Sequence, residues 1–102
     1  MKHVELDKII QEANERRGEL LASKNADYAN NQDALSAFKS PWNNCSIPPT
    51  AAWYVLFDKH IRNLQRYVRA GNLESSKIVD VLDDMRNYLD FLEALLREQN
   101  RI

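Results

Sequence analysis

Cysteine occurs once, at Cys45, so no disulfide can form within one chain and packing alone must hold the fold. Glycine occurs twice, at Gly18 and Gly71, far too widely spaced for a glycine-rich loop that cradles a phosphate. Only three prolines are present, which excludes an extended proline-rich linker. No apolar run approaches the ~20 residues that cross a bilayer, which removes membrane spanning. Charge of one sign is also lacking: 14 Lys plus Arg stand against 15 Asp plus Glu, a net charge of −1. Without a basic field, bulk binding to a nucleic-acid backbone is excluded. The N-terminal residues Met1-Lys2-His3-Val4-Glu5 have no apolar signal core, and with a single cysteine the chain reads as cytoplasmic.

What is present is hydrophobicity in helical register. With 102 residues, 44% of them hydrophobic, the chain is read as one helical domain spanning residues 1–102. Val4, Leu6, Ile9, Ile10, Ala13, Leu20 and Leu21 recur at helical spacing and predict a first helix that closes near Asn25. The segment 24–49 has no long periodicity and is read as a loop, with a short helical turn over Ala34–Phe38 capped by Asp33 and pinned by Leu35 and Phe38. Its remaining aromatics are Tyr28, in a polar run with little reason to hold a ring, and Trp42, expected to cap the bundle. Pro48-Pro49 predicts that the next helix starts after Thr50, with the Thr50 hydroxyl as cap and Trp53, Leu56, Phe57, His60, Ile61, Leu64, Tyr67 and Val68 as its stripe. Gly71-Asn72 breaks it. A last helix begins between Asn72 and Ser76, with Ile78, Val81, Leu82, Met85, Leu89, Leu92 and Leu96 as its stripe and Tyr88, Phe91 and Leu95 widening the arc. The expected fold is therefore all-α, three main helices plus one short one, and the width of the stripes predicts completion of the bundle by homo-oligomerisation.

Among residues that carry chemistry, Asp80, Asp83 and Asp84 cluster on the last helix. Asp80 and Asp84 repel at i, i+4 unless something neutralises them: a hard cation such as Mg²⁺, or Lys77 and Arg86 on a solvated face. On the preceding helix Asp58 and Arg62 fit an i, i+4 ion pair, while Lys59 and Arg62 alternatively face an anionic group such as a phosphate. His60 falls within an apolar stripe and reads as a core or interface histidine.

In order, Lys24-Asn25-Ala26-Asp27-Tyr28, Leu35-Ser36-Ala37-Phe38, Asp58-Lys59-His60-Ile61-Arg62-Asn63-Leu64 and Asp80-Val81-Leu82-Asp83-Asp84-Met85-Arg86-Asn87-Tyr88-Leu89 resemble phage-encoded helical proteins of the nucleotide-modification-associated type. These in turn are similar to MazG-like all-α nucleoside triphosphate pyrophosphohydrolases. The resemblance covers roughly Glu19 to Leu96. It implies an oligomeric nucleotide-binding fold in which Asp58, Asp80 and Asp84 hold Mg²⁺ on the phosphates, and in which Lys24, Asp27, Tyr28, Lys59, Arg62, Asn87 and Tyr88 contact the ligand. Glu12-x-x-Glu15 has the family's paired-glutamate spacing but points away from the apolar stripe, and Ser76 stands where a glutamate is expected.

Three functions follow as expectations. The first is a nucleotide-binding protein that acts as a Mg²⁺-dependent pyrophosphohydrolase. The second is a protein that sequesters a nucleotide, for example a signal in host defence, without turnover, which the displaced glutamates favour. The third is a protein–protein adaptor with Trp53, Tyr88 and Phe91 at its interface.

Overall fold

The computed structural model describes residues 1–27, 35–71 and 75–102, with side chains at 21–27, 75 and 76 outside the description. All regular structure among the described residues is α-helical: α1 (His3–Asp27), α2 (Ser36–Cys45), α3 (Pro49–Ala70) and α4 (Ser75–Glu98). The all-α class read from the periodicity is thus the class observed, with α2 as the short helix. The chain divides into two compact units, Met1–Gln32 and Asp33–Ile102.

The described part of the first unit is the single helix α1. The Lys2 backbone N–H donates to the Glu5 carboxylate (3.2 Å) at its start, and Gln11 donates to Glu15 (3.3 Å) along its exposed side. It runs two residues past the expected stop. Among the described residues only Ser46, Asn100 and Gly71 have positive φ, so Asn25 continues the helix rather than closing it.

In the second unit two boundaries differ from expectation, each through backbone chemistry. Most of the expected loop after Leu35 is helix α2, which continues through Pro41. Proline removes one i→i−4 bond. The helix then closes on Ser46 in the left-handed conformation, where the Ser46 and Ile47 N–H groups reach the Trp42 and Pro41 carbonyls at 2.9 and 3.3 Å. Helix α3 begins at Pro49 itself, and Thr50 is not its cap. A proline suits the first helical position because its missing N–H has no partner there and its φ is preset. Gly71 ends α3 at φ 61°, its N–H on the Tyr67 carbonyl at 2.7 Å. Helix α4 closes on Asn100 (φ 57°), with Asn100 N–H on Arg97 O (3.1 Å) and Arg101 N–H on Leu96 O (2.9 Å), the paired bonds of a Schellman turn.

The core lies among α2, α3 and α4. Leu35, Phe38, Trp53 and Leu95 are buried, and Leu56, Phe57, Tyr88, Phe91 and Leu92 pack around them. Phe38 meets Tyr88 edge-on (6.0 Å between centroids) and Phe91 at a tilt (5.7 Å), while Trp53 stacks on Phe57 at 4.8 Å. The Trp53 indole N–H donates to the Tyr88 carbonyl at 2.6 Å, so the ring's one polar atom is satisfied where it is buried. Lys39 and Glu98 join α2 to α4 by a 2.5 Å ion pair.

This packing redraws the expected stripes. Tyr88, Phe91 and Leu95, read as surplus for a second copy, are instead the side of α4 that faces the core. Leu89 and Val68, read as stripe residues, are exposed, and so is Trp42, expected in the core. Trp53, Tyr88 and Phe91, the rings expected at an adaptor interface, all pack in this core, Trp53 buried and Tyr88 and Phe91 partly so.

Candidate functional site

Helix α4 carries most of the predicted site, and its register sorts the residues. The 100° step of a helix separates Tyr88 from Asp84 by only about 40°, so the two side chains share a face one turn apart. Tyr88 is the hub of the aromatic cluster, touching Phe38, Phe57, Phe91 and, at 4.7 Å between ring centroids, His60 of α3. His60 therefore packs on a ring at the α3–α4 seam, as its place in the stripe led us to expect.

The Tyr88 phenol is held above its ordinary value of 10.0, first by burial and then by the Asp84 carboxylate. The folded state keeps this proton longer than the unfolded chain does. The stabilisation tied to it is therefore complete below about pH 10 and is lost as the pH rises past that value towards the folded pKa. In a tyrosinate absorbance titration, one of the four tyrosines should ionise last, and Tyr88→Phe should remove that late component. A late component that survives the substitution would show that the shift belongs to another ring.

The other acids are dispersed. Asp80 is exposed. Asp83 is buried and accepts from Arg86 at 2.8 Å, so the predicted offset by Arg86 is observed, though away from the solvated face on which it was drawn. Among the described residues no group of three or more His, Cys, Asp or Glu side chains is disposed to hold a metal ion. Asp58, Asp80 and Asp84 thus do not fit a preformed three-carboxylate Mg²⁺ centre.

The cations divide in the same way. Arg62 pairs with Asp58 at 2.8 Å. Both residues lie roughly 160–200° around α3 from His60, on the side of the helix away from Tyr88. The ion-pair reading of Arg62 is the observed one, and as an exposed i, i+4 pair it contributes about 0.3–0.5 kcal/mol. Lys59 is exposed beside His60 in sequence. Asn87 is buried next to Tyr88. Lys24 and Asp27 lie in the last turns of α1, where side chains fall outside the described residues, as does Tyr28 altogether.

Of the predicted set, then, the structure brings Asp84 close to Tyr88, which His60 also meets, and sets Asp58 and Arg62 apart. Periodicity missed a cleft of about 280 Å³ beside Trp42, between α2 and the end of α4. Its one available signal was the large aromatic at Trp42 amid polar neighbours. No helix among the described residues is long and apolar enough to cross a membrane. No family model, curated protein or solved structure matches this chain.

Proposed function

We propose that this chain is a helical binding protein for a nucleotide or nucleotide-like phosphate ligand, held at the α3–α4 seam without turnover. The observation that carries the reading is that His60 and Asp84 each meet Tyr88, so that an imidazole and a carboxylate flank a half-buried phenol at the seam. The sequence resemblance supplies the ligand class and names Lys59 as a cation for its phosphates. Mg²⁺, which is commonly held by one or two carboxylates together with substrate phosphates, would arrive on the ligand and meet Asp84. Binding without hydrolysis accords with acids that are spread over two helices and with the displaced glutamates. Association of copies, also part of this reading, falls to the apolar side chains left exposed on α3 and α4, Tyr54, Val55, Val68 and Leu89.

A thermal-shift screen of nucleoside mono-, di- and triphosphates and cyclic oligonucleotides, with and without Mg²⁺, tests it. A ligand at 100 times its Kd raises stability by about 2.7 kcal/mol. Asp84→Asn should abolish the Mg²⁺-dependent part of the shift, whereas Arg62→Ala should leave the shift intact. Loss of ligand response in Arg62→Ala with full response in Asp84→Asn would move the site to the other side of α3. Release of pyrophosphate from a responding triphosphate would establish turnover instead.

A further inference from the structure

The cleft beside Trp42 is independent of the α3–α4 seam. Its walls are Lys39, Trp42 and Asn43 of α2, Pro49 at the start of α3, Leu95 and Glu98 of α4, and Gln99 just beyond. Trp42 is 52% exposed, although it is the largest side chain of α2 and Phe38, one turn earlier, is fully packed. Leu95 gives the cleft an apolar floor, and Asn43 and Gln99 add amides at its edge. Two helices end here. Trp42 and Asn43 belong to the last turn of α2, and Leu95 and Glu98 to that of α4, so the carbonyl ends of both helices place partial negative charge around the cleft. Glu98 adds a full one. The α2 end has no basic residue in its last turn to offset it, and Arg97, in the last turn of α4, is paired with Glu93 at 3.1 Å.

Such a field repels phosphates and carboxylates and attracts a cation, and an exposed indole is the best aromatic face for holding one. The cation in contact with Glu98 is the chain's own Lys39, at 2.5 Å. We propose that this cleft is an interaction surface for an arginine side chain presented by a partner protein, with the guanidinium stacked on Trp42 and paired with Glu98 in exchange for Lys39. Arginine suits the site better than lysine because its planar group stacks and donates two parallel bonds to a carboxylate, where an ammonium offers a point charge. Lys39 then acts as an internal competitor. This assigns opposite signs to two neighbouring substitutions: removing Glu98 removes the site, while removing Lys39 opens it.

The test uses the full chain and its intrinsic fluorescence. Of the two tryptophans, Trp53 is buried and bonded to the Tyr88 carbonyl, so an additive in the cleft perturbs the emission of Trp42. Titration with N-acetyl-arginine amide should give a saturable change that its neutral isostere, N-acetyl-citrulline amide, and inorganic phosphate do not. Glu98→Gln and Trp42→Leu should each abolish it. Lys39→Gln should tighten binding by about two- to fivefold, the release of one exposed ion pair. Circular dichroism of each variant establishes that α2 remains folded, and Trp42→Leu keeps the proposal falsifiable should loss of the Lys39–Glu98 link unfold it. An equal response to the citrulline compound, a response to phosphate, no response in the wild-type chain, or weaker binding by a folded Lys39→Gln would each overturn the proposal.

Discussion

Leu95→Ala is expected to destabilise the Asp33–Ile102 unit by about 2–5 kcal/mol, the range for truncating a fully enclosed leucine whose cavity does not collapse. Among the described residues Leu95 is the most deeply buried large side chain, 1% exposed, and it packs with Leu35, Phe38 and Trp53 at the junction of all three helices. Small domains have only about 5–15 kcal/mol in total, so the loss takes a large share and lowers the urea midpoint accordingly. Leu95→Met, which keeps the volume, should cost less than about 1.5 kcal/mol. A loss below about 1 kcal/mol for Leu95→Ala would mean that the site relaxes freely and that the core lies elsewhere.

Phe38→Ala is expected to cost about 3–5 kcal/mol by the same arithmetic, but with a different local signature. Helix α2 is short, holds Pro41 in its interior and has no side-chain cap at its start. Helices this short are marginal alone and depend on packing. Phe38, with Leu35 just before it, is the buried anchor, its ring set between Tyr88 and Phe91 of α4. Amide hydrogen exchange should therefore show α2 losing protection well before α3 and α4, which retain the Trp53–Phe57 stack and the Trp53 to Tyr88 bond. Uniform loss of protection over α2, α3 and α4 would show that α2 unfolds only with the whole unit.

The helices were legible because apolar residues three and four apart need no partner to be recognised, and because Gly71 punctuates the α3–α4 boundary. Which edge of each stripe faces the core was not legible. On α4 spacing puts Leu89 in the main stripe and Leu95 in the widened arc, and the ring of Phe38, arriving from α2, selects the Tyr88–Phe91–Leu95 side. That ring is carried by the first turn of α2, the turn expected to be pinned by Leu35 and Phe38, and the helix then continues through Pro41 against local propensity. The site suffered the same ambiguity. Asp58, Lys59 and Arg62 are adjacent in sequence, yet helical register sends Asp58 and Arg62 to the side away from His60. Asp84 and Tyr88 lie in one motif, and their proximity follows from i, i+4 spacing alone, whereas the His60 contact needs the α3–α4 packing. The Trp42 cleft needed three chain segments at once, with Lys39 and Glu98 meeting across most of the unit's sequence.

The most direct test of nucleotide binding at the seam is an amide chemical-shift map of the labelled chain, recorded with the best-responding nucleotide and Mg²⁺. Our account expects the perturbed amides to cluster at Lys59 and His60 on α3 and from Asp84 to Tyr88 on α4, with Asp58 and Arg62 changing little. Perturbations centred on Trp42 and Glu98, or none with any nucleotide of the panel, would contradict it.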